Sequence, residues 1–169
     1  MANLIELAAE VGRTLQQRGL MLATAESCTA GMVVALLAKH PGSGECLDSG
    51  HVVYSPAAKK RLLGVSQHTL DNFNLTSEEV ARAMAKGALD GSPANVAVAT
   101  TGVAGPGPQG EIPAGTLCFA WAFRLADGSI QLYSSTEHFA GDRSRILDEA
   151  ARFALLRLPE RHAQLTGEG

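Results

Sequence analysis

Hydrophobic and polar residues follow two different periods along this chain, and the two periods alternate through its first half. Apolar residues recur three or four positions apart where we predict helices, and they form short continuous or alternating runs where we predict strands. The predicted helices span residues 3–18, 29–39, 56–63, 76–89 and 141–158. The predicted strands span residues 20–25, 46–54, 94–100, 115–125 and 129–138.

Two helix starts carry clear local signals. Ser55 is predicted as an N-cap, and Pro56 follows it in the first helical position, where its missing N–H costs nothing. Thr76 is followed three residues later by Glu79, which is the pattern of a capping box. Both signals predict that a helix begins directly after them.

Turns and helix ends are marked by glycine and proline. The Asp127-Gly128 pair between two apolar runs predicts a tight β-hairpin. Pro159 is predicted to end the last helix, because a proline inside a helix removes a hydrogen bond and clashes with the preceding turn. We interpret residues 66–75 as a turn-rich connection without an element of their own.

Alternating helices and strands followed by a hairpin are typical of an α/β sandwich with a mixed sheet and helices on both faces. The length suffices for one domain, so we expect residues 1–169 to form a single unit. Ligand sites in such sheets lie in the loops that follow the carboxyl ends of strands. Three loops qualify, at residues 25–31, 54–59 and 101–114.

Composition and charge exclude several classes of protein. The net charge is −3 and the basic residues are scattered, which argues against a surface for nucleic acid or for an anionic membrane. No apolar run approaches the length of a membrane span, and the N-terminus does not resemble a signal peptide. The three cysteines are widely spaced, which favours a reducing, cytoplasmic setting. No histidine, cysteine or carboxylate pattern has metal-ligand spacing, so we expect no metal.

Ser27 is the first candidate for chemistry. It precedes a predicted helix whose first amides lack intrahelical partners, and such amides favour negative charge. A serine there could act as a nucleophile with the amides holding an oxyanion. The alternative is that Ser27 or Thr29 simply caps the helix.

Lys59 is the candidate base for that serine. It lies in the first turn of the helix after Ser55, where the helix dipole and partial burial both favour the neutral amine. A neutral lysine can take a proton from serine, with Tyr54 relaying or orienting it. The alternative is a solvated basic face with Tyr54 in the core.

The glycine-rich loop at residues 102–110 is the third candidate. Gly105 to Gly110 satisfies the GxGxxG pattern, but its prolines and the lack of a following helix exclude a dinucleotide fingerprint. Its backbone could still approach a ligand closely, with the Thr101 hydroxyl beside it. Arg143, at the start of the last helix, could reach a phosphate. The alternative is a long flexible connection.

Six short motifs occur in a fixed order along the chain. They are TAESCTAG (24–31), PGSG (41–44), VVYSPAAK (52–59), TGVAGP (101–106), PAGT (113–116) and FAGDR (139–143). With these motifs the chain resembles the CinA C-terminal domain family, the competence/damage-inducible protein family, over roughly residues 5–158.

The resemblance implies a three-layer α/β/α fold and the activity of a nicotinamide-nucleotide amidase. Such an enzyme hydrolyses the carboxamide of nicotinamide mononucleotide to nicotinate mononucleotide and ammonia, without a metal or an organic cofactor. The resemblance also implies a homodimer. We further expect a stand-alone amidase-type chain, since the molybdopterin-binding-like domain of full-length CinA proteins has no counterpart in these 169 residues.

The resemblance also implies roles for single residues. Ser27 matches the nucleophile, and Tyr54 and Lys59 match its activating partners. The positions expected to bind substrate are Cys28, Thr29, Ala30, Gly31, Thr101, Gly102, Gly105 and Arg143, the last through phosphate.

One loop departs from the family pattern. The family usually carries a longer glycine-rich loop followed by a lysine, whereas here residues 107–112 are short and the lysine position is Ile112. Two alternatives therefore stay open. The chain could be an amidase for another small carboxamide, or a catalytically inactive nucleotide-binding protein of the same fold.

Overall fold

The computed structural model describes residues 2–168, and a five-stranded mixed sheet runs through them. Its strands are β1 (Leu22–Glu26), β2 (Leu47–Val52), β3 (Val96–Gly102), β4 (Thr116–Arg124) and β5 (Ile130–His138). They lie in the order β2-β1-β3-β4-β5. The three strands β1, β2 and β3 are parallel, while β4 and β5 continue the sheet as an antiparallel hairpin. The predicted mixed sheet and hairpin are confirmed.

Helices cover both faces of this sheet. They are α1 (Ala2–Gln17), α2 (Met32–Ala38), α3 (Pro56–Leu63), α4 (Gln67–Asn72), α5 (Glu78–Asp90) and α6 (Arg143–Thr166), with a short 3₁₀ turn at Ser43–Glu45. The helices α1, α2 and α6 pack together on one face, and α3, α4 and α5 lie on the other. The expected α/β/α layering is confirmed.

The two faces of β4 differ in side-chain size, which fits the layers they contact. Leu117, Phe119 and Trp121 point into the core shared with α1, α2 and α6. The alternating residues Cys118 and Ala120 face α5. Both sets are fully or almost fully buried, so the strand is a continuous apolar run rather than an alternating one.

Several predicted helix ends are confirmed. Ser55 accepts a hydrogen bond from the backbone N–H of Ala58 at 3.1 Å, with Pro56 in the first helical position. Gly64 ends α3 in the left-handed conformation with a φ of 66°. These contacts fix where α3 begins and therefore where Lys59 lies.

Other predicted ends are wrong. The N-cap of α5 is Ser77, whose hydroxyl accepts from Val80, so the capping box at Thr76 lies one residue too early. The connection at residues 66–75 contains α4, which Ser66 caps. Helix α2 begins at Met32 rather than at residue 29, because residues 27–31 form the turn that leads out of β1.

The prediction that Pro159 ends the last helix is also wrong, since α6 continues through it to Thr166. An internal proline costs about 3 kcal/mol. Contacts to Pro159 and to the residues after it hold this part of α6 against the rest of the protein. The Arg161 guanidinium lies 5.5 Å from the centre of the Trp121 ring, and Arg18 donates to the Pro159 carbonyl at 2.9 Å and to His162 Nδ1 at 3.2 Å.

The helices of residues 2–168 do not include one with the length and apolar character needed to cross a bilayer.

Candidate active site

A cleft of about 300 Å³ opens at the edge of the sheet where β1, β2 and β3 end. Parallel strands bring their carboxyl ends to one edge, so the loops that follow them meet there. All three predicted loops contribute, together with the segment before α5 and the start of α6. The lining residues are Ser27, Cys28, Tyr54, Lys59, Leu75, Thr76, Arg143 and residues 101–109.

Ser27 and Lys59 meet at the bottom of this cleft. The side-chain nitrogen Nζ of Lys59 is hydrogen-bonded to Ser27 Oγ at 3.0 Å, to the Val53 carbonyl at 2.9 Å and to the Tyr54 carbonyl at 3.4 Å. The serine backbone is held by its own N–H, which donates to the Thr100 carbonyl at 3.0 Å. Lys59 belongs to the first turn of α3, and its side chain folds back over the end of β2 to reach the serine.

The surroundings of Lys59 favour its neutral form. Its side chain is only 1% exposed, and this loss of hydration lowers the pKa of the amine below its usual 10.5. Within residues 2–168 no carboxylate lies within ion-pairing distance of Nζ. A poorly hydrated lysine without an anionic partner is suited to accept a proton.

Cys28 lines the cleft beside Ser27, but its thiol is suited to packing. Burial raises the pKa of Cys28 to about 12, so the thiol stays protonated at neutral pH. Because the thiolate is the nucleophilic form, the hydroxyl of Ser27 is the better candidate to attack a substrate.

Thr29, Ala30 and Gly31 do not line the cleft. The Thr29 hydroxyl is buried and donates to the Glu26 carboxylate at 2.7 Å. Ala30 is exposed at the tip of the turn with a φ of 50°, and Gly31 caps α2 with a φ of 92°. Their contacts shape the turn that carries Ser27, so the expected substrate contact by their side chains has no geometric support.

Glu26 was not among the residues expected to take part in the site. Its carboxylate is fully buried at the end of β1 and accepts hydrogen bonds from Val33 N–H at 2.9 Å and Val34 N–H at 3.1 Å. The amides at the start of α2, which we expected to hold an oxyanion, are thus occupied by a side chain of the protein. The signal available was an acidic residue at the end of an otherwise apolar strand.

Thr101, Gly102 and Gly105 line the cleft as expected. The Thr101 hydroxyl donates to the Leu75 carbonyl at 2.8 Å, which ties the segment before α5 to the end of β3. A Cβ at Gly102 would lie 2.6 Å from the Thr116 carbonyl oxygen, so only glycine lets the loop lie this close to β4.

Arg143 and Tyr54 lie together at the mouth of the cleft. The Arg143 guanidinium donates to the Tyr54 hydroxyl at 3.1 Å and to the Gly105 carbonyl. Tyr54 is 59% exposed and not a core residue. Since Lys59 contacts Ser27 directly, the expected proton relay through the Tyr54 phenol is not needed in this geometry.

Arg143 gives the cleft a permanent positive charge. Lys59 and Arg143 are its basic side chains, and its lining within residues 2–168 includes no aspartate or glutamate. The same described residues contain no group of three or more histidine, cysteine or acidic side chains arranged to hold a metal ion. The arrangement fits a small anionic ligand whose reactive group reaches Ser27.

Comparison with known proteins decides the family. The family model described as "CinA C-terminal domain" matches residues 4–161. This chain belongs to the CinA C-terminal domain family. The resemblance seen in the six sequence motifs is therefore confirmed.

Two kinds of relative within the CinA family are similar to this chain. The nicotinamide-nucleotide amidohydrolase PncC of Escherichia coli K12 is 37% identical over 98% of both chains, and the PncC of Enterobacter agglomerans is 40% identical over 90% of this chain and 92% of its own. The CinA-like protein of Chlorobium limicola is 46% identical over 80% of this chain. This chain spans about a third of that longer relative.

Solved structures of CinA proteins share the fold. The crystal structure of the competence damage-inducible protein A from Klebsiella pneumoniae has a TM-score of 0.88 at 40% identity, with 95% of this chain and 97% of that chain covered. The competence/damage inducible protein from Agrobacterium tumefaciens has a TM-score of 0.81 at 38% identity.

Proposed function

We propose that this chain is a nicotinamide-nucleotide amidase that hydrolyses the carboxamide of nicotinamide mononucleotide to nicotinate mononucleotide and ammonia. The observation that carries the proposal is the 3.0 Å contact between Lys59 Nζ and Ser27 Oγ in a water-poor corner of the cleft. A nucleophile beside a neutral base is the arrangement that acyl transfer requires. Relatives that match along almost their full length are named nicotinamide-nucleotide amidohydrolase.

The first half of the reaction forms an acyl-enzyme. In neutral Lys59 the two N–H groups donate to the Val53 and Tyr54 carbonyls, and the lone pair of Nζ faces Ser27 Oγ. The amine therefore takes the hydroxyl proton of Ser27 as Oγ attacks the carboxamide carbon. The N–H group of Cys28, which lines the cleft beside Ser27, donates to no oxygen within residues 2–168, so we assign it to the developing oxyanion. Protonated Lys59 then gives its proton to the departing nitrogen, which leaves as ammonia.

The second half frees the enzyme. Lys59, neutral again, takes a proton from a water molecule that attacks the acyl carbon. The bond to Ser27 Oγ breaks and the serine recovers its proton from Lys59. The product forms as a carboxylic acid, which loses its proton to solvent or to the released ammonia and leaves as a carboxylate. Every proton is accounted for by Lys59, Ser27 and water, so no metal or organic cofactor is required.

Arg143 supplies the second part of substrate recognition in this proposal. Its guanidinium lies at the exposed mouth of the cleft, where a phosphate attached to the far end of the substrate could reach it. Arginine binds phosphate through paired, charge-assisted hydrogen bonds. Tyr54 orients the guanidinium through the 3.1 Å contact of its hydroxyl.

The test is a comparison of carboxamides offered to the purified protein. We expect ammonia release from nicotinamide mononucleotide, with much slower release from nicotinamide riboside and from nicotinamide, because these lack the phosphate. Equal release from all three would support an amidase for small carboxamides and would remove the role of Arg143. Tight binding of nicotinamide mononucleotide with no ammonia from any carboxamide would support the inactive nucleotide-binding alternative.

The family resemblance also leads us to propose a homodimer. Sedimentation velocity of the purified chain tests this, since a monomer at the enzyme's working concentration would contradict it.

A further inference from the structure

Helix α2 begins differently from the other capped helices of the protein. Ordinary side-chain caps begin α3, α4, α5 and α6, and the capping residues are Ser55, Ser66, Ser77 and Asp142. The N-cap of α2 is Gly31, which has no side chain to offer. Instead, the carboxylate of Glu26, five residues earlier, binds the amides of Val33 and Val34.

Placing a carboxylate there is costly. Glu26 is fully buried, and within residues 2–168 no lysine, arginine or histidine forms an ion pair with it. The desolvation of a buried charge costs several kcal/mol, which neutral donors must offset. Four do so. In addition to the two amides, the hydroxyl of Thr29 donates to Oε1 at 2.7 Å and the hydroxyl of Thr24 to Oε2 at 3.3 Å.

These contacts enclose the turn that carries Ser27. Glu26 is the residue directly before the serine, and its carboxylate reaches Thr29 inside the turn and Val33 beyond it. Thr29 is fixed a second time, since its hydroxyl lies 2.7 Å from that of Thr100. One buried side chain therefore holds both ends of the segment from residue 27 to residue 31.

Glu26 does not touch the reacting groups. Its oxygens bind neither Ser27 Oγ nor Lys59 Nζ, whose own hydrogen bonds are to each other and to backbone carbonyls. An effect of Glu26 on the reaction must therefore act through the position of the serine. Displacement of a reacting atom by about 1 Å can cost a hundredfold in rate.

We propose that Glu26 is the positioning residue for the nucleophile. Its buried carboxylate locks the turn at residues 27–31 so that Ser27 Oγ meets the amine of Lys59. The inference rests on the proposed function, because it takes Ser27 to be the nucleophile.

The test replaces one carboxylate oxygen by an amide. Glu26→Gln keeps the shape of the side chain, but its NH₂ group now faces backbone N–H and hydroxyl donors. The set of four hydrogen bonds to residue 26, here called the Glu26 clamp, therefore loses half of its acceptors. The probe is a fluorophosphonate, which labels an activated serine whatever its natural substrate. Labelling gives two separate readings, the rate constant for Ser27 and the fraction of protein that is labelled at completion.

We expect the rate constant to fall by about tenfold to a hundredfold in Glu26→Gln while the labelled fraction stays near that of the wild type. We also expect kcat for ammonia release to fall by a similar factor with KM unchanged, because no residue that Glu26 contacts lines the cleft. The matched control is Ser66→Ala, which removes the cap of α4 and leaves the clamp intact.

A reduced labelled fraction with the wild-type rate constant would overturn the proposal, since Glu26 would then only support folding. The wild-type rate constant and fraction together would overturn it as well. If Glu26→Gln does not fold, Thr29→Val takes its place as the test, because it removes one donor to the same carboxylate. We expect a severalfold lower rate constant for labelling in Thr29→Val, and an unchanged rate constant would overturn the proposal. Wild-type protein that is not labelled at Ser27 would instead refute the proposed function itself.

Discussion

Replacement of Lys59 tests whether this side chain is a base or only an anchor. Lys59→Met keeps the length and the apolar stem but removes the nitrogen that contacts Ser27 Oγ at 3.0 Å. Lys59→Arg keeps a donor and a positive charge, but a guanidinium does not lose its proton in proteins. The two variants together separate proton transfer from charge and from hydrogen bonding.

The expected magnitude follows from the contacts of Nζ. Loss of a positioned general base costs about 10²- to 10⁴-fold in rate, equivalent to about 3 to 5 kcal/mol in activation free energy. Lys59→Met also leaves the Val53 carbonyl without its donor at 2.9 Å, which costs about 1 to 3 kcal/mol of stability. That cost is below the usual 5 to 15 kcal/mol of a domain, so we expect the variant to fold.

The assay is ammonia release from nicotinamide mononucleotide, with unfolding by denaturant measured on the same preparations. We expect both variants to lose activity by a similar factor, and the neighbouring exposed Lys60→Met to retain it. In the wild type we expect the rate to rise with pH through the lowered pKa of Lys59, because only the neutral amine accepts a proton. Substantial activity in folded Lys59→Arg would refute the assignment of Lys59 as the base.

Three further predictions concern other parts of the account. Arg143→Gln should raise KM for nicotinamide mononucleotide by about tenfold to a hundredfold and leave hydrolysis of nicotinamide riboside unchanged, which steady-state kinetics on both substrates would measure. Tyr54→Phe should retain kcat within a few-fold, and an inactive Tyr54→Phe would contradict the direct transfer of the proton from Ser27 to Lys59. Gly87→Ala should lower the free energy of unfolding by about 1 to 3 kcal/mol, because its Cβ would fall within 2 Å of a backbone oxygen of α3. Urea unfolding measures the change, and Gly44→Ala, where the space for a Cβ is open, is the control. At pH values between the lowered pKa of folded Lys59 and 10.5, the unfolded chain holds a proton on Lys59 that the folded chain lacks. The free energy of unfolding of the wild type should therefore rise with pH in that window relative to that of Lys59→Met. Parallel plots of unfolding free energy against pH for the two proteins would contradict the lowered pKa.

Two signals in the sequence brought Ser27 and Lys59 to the same edge of the sheet, and the family resemblance assigned the pair to catalysis. The strand pattern predicts a parallel arrangement that gathers the loops after β1 and β2, and the Ser55-Pro56 start fixes the turn of α3 on which Lys59 lies. Neither signal gives the rotamer that brings Nζ to 3.0 Å from the hydroxyl.

Tertiary contacts explain what the sequence could not provide. Proline normally ends a helix, but α6 continues through Pro159, where Arg18 binds the Pro159 carbonyl and Arg161 lies over the Trp121 ring. The role of Glu26 depends on amides seven and eight residues further along the chain, which no local capping pattern describes. Tyr54 could be assigned to the cleft, but its partner Arg143 comes from a helix 89 residues away.

The most direct test of Ser27 as the nucleophile is ammonia release from nicotinamide mononucleotide by the wild type and by Ser27→Ala, purified side by side. We expect steady release by the wild type and a loss of at least about a hundredfold in the variant, because water alone would have to replace the serine nucleophile. Release at the wild-type rate by Ser27→Ala would contradict the assignment of Ser27 as the nucleophile. In that case the 3.0 Å contact of Ser27 with Lys59 would be structural and the hydrolysis would occur by another route.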